Sequence, residues 1–240
     1  MNFFKKVLAV VATLAFAGLL ALPIRDTSSS YGIRMSSVKA SVENGSIFAI
    51  LGGFRSLIAD FVWIKGYVNW ETKDVAKCIS AIELASSIDP DMPMFWTQGA
   101  SIIAFDTPHW LLAQLPEKLR TDEKLDFFKK RQAMEAIKFI DKALAMFPNS
   151  YEFLIQKGQI AISIKKFDVA QECFGAASKL NDGFYARRIY ASILVKNGEY
   201  KKAKDVLKGM LADAEHDNPV RALIEAQLNV VEKLIEKTAQ

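Results

Sequence analysis

The side chains in this chain that could carry acid–base, nucleophilic or metal chemistry include two histidines, two cysteines and 27 carboxylates. None of them is spaced for that chemistry. His109 and His216 fall in separate predicted elements, with no HExxH and no Cys/His ligand spacing. Cys78 and Cys173 form no CxxC pair. Each lies in its own predicted helix, where a small apolar residue packs well, so free buried thiols are expected rather than a disulfide. There is no GxSxG elbow, and the carboxylates spread over exposed helix positions. Gly52-Gly53 lacks both the Lys-Ser/Thr of a phosphate loop and the GxGxxG spacing. The residues therefore predict no catalytic centre, no metal site and no cofactor. Lys201, Lys202, Lys204 and Lys208 could meet an anionic partner, or form a solvated helix face balanced in part by Glu199 and Asp205. Net charge is +4, and +2 without Lys5 and Lys6, which gives no field that would recruit nucleic acid.

What remains is recognition by aromatic and cationic side chains, and a repeat that would position them. Phe167, Ala170 and Phe174 are followed by Tyr200, Ala203 and Leu207, each displaced by about 33 residues, a period that marks stacked helical hairpins. Small residues where helices cross allow close backbone approach, and aromatics fill the gaps between neighbouring pairs. From Ile47 onward the pattern stays helical.

These landmarks resemble tetratricopeptide repeats. Tyr151 to Asp182 fits best, with Gly158, Ala161, Phe167, Ala170, Phe174 and Ala177 in register. Residues 183–218 follow with Ala191, Tyr200, Ala203 and Leu207. A unit at about 54–90 shows Gly66, Cys78, Ile82, Ala85 and Pro90. Another at 93–148 has Gly99, Ala136, Ile140, Ala143 and Pro148, and fits only with an insertion over 106–131. The stretch from Leu51 to Lys65 also resembles the opening of bacterial membrane-anchored repeat proteins whose first helix reads Leu-Gly-Gly-Phe-Arg, then Ala-Asp and a Trp. The resemblance implies an all-α, right-handed solenoid of about four helix pairs over 47–218 and a protein-binding scaffold role in an envelope complex. The alternative is a stoichiometric structural subunit of a membrane complex, and the missing catalytic constellation makes an envelope enzyme accessory remote.

In that register the first helix of each pair lines a concave surface, where family ligands usually lie. Trp63, Tyr67, Trp70 and Trp96 would face it in the first half, and Gln159, Tyr185, Arg188 and Lys196 further on. Aromatic and Arg side chains commonly anchor binding surfaces. An extended protein or peptide partner could set apolar groups on the tryptophans and acidic ones by Arg188. The competing reading packs these aromatics against the insertion. Within the insertion, Trp110-Leu111-Leu112 either folds back to fill the groove or projects as a contact element. Thr121, followed by Asp122 and Glu123, suits the start of one long helix reaching Phe147.

Two segments frame the repeats. Val7 to Ile24 runs 18 residues without a charge, enough to cross about 27 Å of hydrocarbon. It reads as a membrane anchor over residues 1–25, or as a cleaved signal ending at Ala15-Phe16-Ala17. Lys5 and Lys6 before it favour a cytoplasmic N-terminus and an extracytoplasmic repeat domain. Residues 26–46, rich in Ser, read as a tether of about 25 Å end to end. Leu51 to Lys65 would bury Arg55 and Asp60 if it crossed a membrane, at about 3 kcal/mol each, so it reads instead as a first helix whose charges find partners. Residues 219–238 carry Val220, Leu223, Ile224, Leu228, Val231, Leu234 and Ile235 on one helical face, as a terminal cap requires. A membrane-surface role for this helix is disfavoured by the lack of a Lys/Arg excess on its polar face.

Overall fold

The computed structural model describes residues 45–180, 183–215 and 219–238, and among them there is no β-strand. The helices are α1 (Gly45–Glu71), α2 (Val75–Ile88), α3 (Pro93–Ser101), α4 (Thr107–Ala113), α5 (Asp122–Met146), α6 (Tyr151–Ser163), α7 (Phe167–Leu180), α8 (Phe184–Lys196), α9 (Tyr200–Asp213) and α10 (Val220–Thr238). The chain divides into two compact units, residues 1–95 and 96–240.

Local chemistry sets where the helices start and turn. Asp74, Thr121 and Ser150 cap α2, α5 and α6, each side-chain oxygen accepting from the backbone N–H three residues on, which satisfies a donor the helix leaves orphaned. Three hairpin turns share one geometry. Lys73, Lys165 and Gly198 have φ of 57°, 60° and 77°. The following residues Asp74, Lys166 and Glu199 donate back to the carbonyls of Asn69, Ala161 and Leu194. This is the paired-carbonyl ending that a left-handed residue makes possible. Lys165 and Gly198 stand one full period apart, so the repeat is written in the turns as well as in the core.

In the first unit α1 packs on α2. Ala59, Ala85 and Phe95 are fully buried, with Val62, Trp63 and Ile88 against them. Gly66 permits the crossing, because a Cβ there would stand 3.1 Å from the Ala81 Cβ. Arg55 is not left unpaired. Its guanidinium donates to Asp89 at 3.1 Å and Asp91 at 3.0 Å, and the Ser56 hydroxyl donates to Asp89 at 2.5 Å. Asp60, by contrast, faces solvent.

In the second unit each of α5 to α10 packs on the next. The repeat landmarks are the core. Ala161, Ala170, Phe174 and Ala177 are fully buried, and so are Leu194, Ala203, Leu207 and Met210, their counterparts one period on. Ala136, Ile140 and Ala143 fill the same places one hairpin earlier. Ile224 and Val231 of α10 close the far end against Ala191, Leu194, Leu207 and Met210. Leu223, expected on the packed face of α10, is exposed instead, because it lies about 100° round the helix from Ile224.

Residues 106–131 form neither a loop nor a separate lobe. α3 runs through a π-helical stretch, Ile102–Asp106, into α4, and α4 packs along α5. The cause is Pro108. It has no N–H and would clash with the carbonyl a turn earlier in a regular helix, and the wider π turn accommodates it. The buried Thr107 hydroxyl donates to the Ile103 carbonyl at 2.7 Å within this stretch. Trp110 is buried on α4, and Arg120 donates to the Ala113 and Leu115 carbonyls that end the helix.

No helix among the described residues is long and apolar enough to cross a membrane, α1 included. Val7–Ile24, most of the tether over 26–46, and His216 lie outside the described residues.

Candidate partner-binding face

Three side-chain hydrogen bonds join the first helices of successive hairpins in the second unit. Gln156 of α6 donates to the Ser101 hydroxyl of α3 at 2.8 Å. Gln159 of α6 donates to the Tyr185 hydroxyl of α8 at 2.9 Å. Gln227 of α10 donates to the Ser192 hydroxyl of α8 at 2.7 Å. The second helices carry their own links. Gln171 of α7 donates to Glu199 at the start of α9 at 2.7 Å, while Lys204 of α9 pairs across to Glu232 of α10 at 2.9 Å. The polar ladder therefore marks one side of the stack, made by α3, α6, α8 and α10.

On α8 that side is presented by Tyr185, Arg188, Ser192 and Lys196, at intervals of three or four residues that keep them on one helical face. Tyr185 is 43% exposed, its ring 6.5 Å from that of the buried Phe174. Arg188 is half-buried and Lys196 exposed in the last turn. Gln159 is exposed on α6 beside them. Burial raises the pKa of Tyr151, and the neighbouring Tyr185 adds to it, so a second phenol borders this patch. An aromatic ring, a guanidinium and an ammonium beside amide and hydroxyl groups suit a peptide backbone with acidic and apolar side chains.

The tryptophans are placed differently. Trp96 is 4% exposed, its ring 4.8 Å from Phe139, so it is a core residue and offers no surface to a partner. Its register position faces the body of the hairpin, where its ring meets Phe139 of α5. Trp63 is half-buried, its ring 5.2 Å from Phe95. Tyr67 is exposed and stacks on Trp70 at 5.3 Å. These three belong to the first unit, and Gln159, Tyr185, Arg188 and Lys196 to the second. Ser101, Gln156, Ser192 and Gln227 went unnoticed as sequence. A signal was present: Ala100-Ser101, Gly158-Gln159 and Ala191-Ser192 each put a polar residue directly after a small one at a helix crossing.

The potentially reactive groups are packed away or dispersed. Cys78 and Cys173 are free and buried, and burial pushes the Cys173 thiol up to about 11. Burial works against the nearby Lys157 ammonium, yet the Asp141 carboxylate at 2.7 Å outweighs it and raises its pKa. His109 is exposed on α4. Among the described residues no three His, Cys, Asp or Glu side chains gather as metal ligands.

No family model matches the chain, and no curated protein matches it. Among solved structures it is similar to a thermophilic TPR protein in Thermus thermophilus, at 13% identity and a TM-score of 0.45, over 77% of this chain and 90% of that chain.

Proposed function

We propose that this chain is a tetratricopeptide-like scaffold that binds a protein or peptide partner, held to a bacterial membrane by Val7–Ile24, with its repeats on the extracytoplasmic side. Its role in this reading is assembly or adaptor work within an envelope complex. The observation that carries it is the ladder joining α3, α6, α8 and α10, which aligns Gln159, Tyr185, Arg188 and Lys196 on one side of the second unit. A rigid row of prepositioned side chains lowers the ordering cost of binding an extended segment. The cationic pair Arg188 and Lys196 favours an acidic partner, and Tyr185 supplies apolar contact.

The test is affinity capture of the full chain from gently solubilised membranes, compared with a folded Tyr185→Ala/Arg188→Glu variant. Partners enriched by the parent and lost from the variant support the face. An unchanged partner set removes it. A second reading, a stoichiometric structural subunit, holds its neighbours through residues 106–131 and the terminal helix α10. It predicts co-purification at fixed stoichiometry that survives the α8 substitutions.

A further inference from the structure

Helix α1 is apolar on two opposite sides. One side, with Ala59, Val62, Trp63 and Gly66, packs on α2 and its surroundings. The other presents Leu57, Phe61, Ile64 and Val68, which are 45%, 64%, 58% and 53% exposed, with Ile58 and Tyr67 exposed at its edges. A continuous apolar helix face of this kind is normally covered. Leu57, Phe61, Ile64 and Val68 recur at intervals of 4, 3 and 4, the spacing of a coiled-coil seam. In the sequence the same spacing continues back through Phe54, Ile50 and Ile47.

Charges at the edges of the seam select what covers it. With Leu57 and Ile64 as one seam position and Phe61 and Val68 as the other, Asp60 and Lys65 occupy the two flanking positions that face across a coiled coil. They lie five residues apart, the offset at which such flanking residues meet between parallel helices. An antiparallel pairing sets each edge against its own kind and leaves Asp60 and Lys65 apart. Both side chains are exposed.

We propose that α1 is a dimerisation helix: two copies of this chain pair in parallel through Leu57, Phe61, Ile64 and Val68, with Asp60 of each facing Lys65 of the other. A free helix with a seam of about 16 Å would be marginal in water. Here α1 is already folded against α2, so pairing does not have to order it. Parallel pairing is also the orientation imposed on two chains anchored in one membrane, although the seam and its charges do not rest on that reading.

The experiment uses the full chain in dodecyl maltoside micelles, with circular dichroism confirming that each variant is folded. Because Cys78 and Cys173 are buried, Phe61→Cys and Val68→Cys introduce the thiols open to oxidation by copper phenanthroline. Each variant alone should form a disulfide-linked dimer, and Ser87→Cys on α2 should not. Sedimentation should show Asp60→Lys weakening the dimer about fivefold or more, with Asp60→Lys/Lys65→Asp restoring it. A folded protein that forms no cross-link at Phe61→Cys or Val68→Cys overturns the proposal. So does a link formed only between Leu57→Cys and Val68→Cys, which marks antiparallel pairing, or a dimer indifferent to Asp60→Lys. If the protein is monomeric and a spin label at Phe61→Cys becomes oxygen-accessible in phosphatidylethanolamine–phosphatidylglycerol vesicles, the face belongs to lipid and the dimer is refuted.

Discussion

Gly158 is where the repeat packing is tightest, and Gly158→Ala reads that packing directly. An added Cβ would stand 2.5 Å and 2.7 Å from Cε2 and Cδ2 of Phe174 and 3.3 Å from the Cys173 Cβ. Phe174 is fully buried, so its ring has nowhere to go. Two effects oppose each other. Alanine in a helix interior gains about 1 kcal/mol over glycine, whereas overpacking a filled core costs about 1–3 kcal/mol. Contacts this short against an immobile ring belong at the upper end, so the expected net loss is about 1–2 kcal/mol. At this chain length that lowers the melting midpoint by about 2–8 °C. The neighbouring hairpin supplies the control, since Ala191 and Leu207 occupy the equivalent pair one period on. Gly158→Ala/Phe174→Leu copies that solution and should be more stable than the sum of the single changes predicts, by about 1 kcal/mol. Far-UV circular dichroism of the full chain against urea and heat measures all four proteins. A Gly158→Ala variant that melts higher than the parent, or strict additivity, would refute the account of the crossing.

Other outcomes follow from the same contacts. Arg55→Ala should cost about 1–2 kcal/mol, read as a urea midpoint, because it leaves Asp89 with the Ser56 hydroxyl as its side-chain partner, and the Asp89 side chain is only 3% exposed; Arg55→Lys should recover part of that loss. Cys78 and Cys173 should resist a thiol reagent at pH 8 in the native chain and react together on unfolding, since both are buried and the Cys173 thiol is pushed up to about 11; rapid labelling without denaturant would contradict this. The hydrogen-bonded Lys204 holds the Glu232 carboxyl below its ordinary value of 4.5, so the pair steadies α10 above that pH and loses this contribution as pH falls through the lowered value. Hydrogen exchange in α10 should accelerate across that acid range in the parent, with a smaller change in Glu232→Gln.

The fold was legible where the period was intact. Ala170, Phe174, Ala203 and Leu207 were readable as core because small and bulky residues recur at a spacing that only stacked hairpins explain. The start of α5 at Thr121 was readable because a capping hydroxyl followed by two acids has a local physical meaning. Residues 106–131 read as an insertion because Gly99 and the Ala136, Ile140, Ala143 and Pro148 landmarks fall in one repeat only when those residues are set aside. The π turn at Ile102–Asp106 carries the helix on through Pro108, an outcome that the usual reading of proline as a helix end does not anticipate. Trp96 shows the limit of register reasoning. The repeat fixes which helix a residue sits on, but the extension of α3 into α4 decides what covers it. Ser101 and Ser192 of the ladder escape the sequence because a polar side chain beside a buried alanine resembles any solvated helix position until its partner is placed. The seam on α1 escapes periodicity for a related reason: a helix apolar on two opposite sides gives no single face for periodicity to pick out.

The central claim, that the α6–α8 side of the second unit receives a protein partner, is tested most directly by site-specific photocross-linking. A photoreactive residue placed at Tyr185 in the full chain and activated in intact membranes should give a discrete adduct with a protein, and the same residue at exposed Glu172 on α7 should not. The adduct should disappear when Arg188→Glu is added. Equal adducts at both positions, none at Tyr185, or an adduct indifferent to Arg188→Glu would contradict the account.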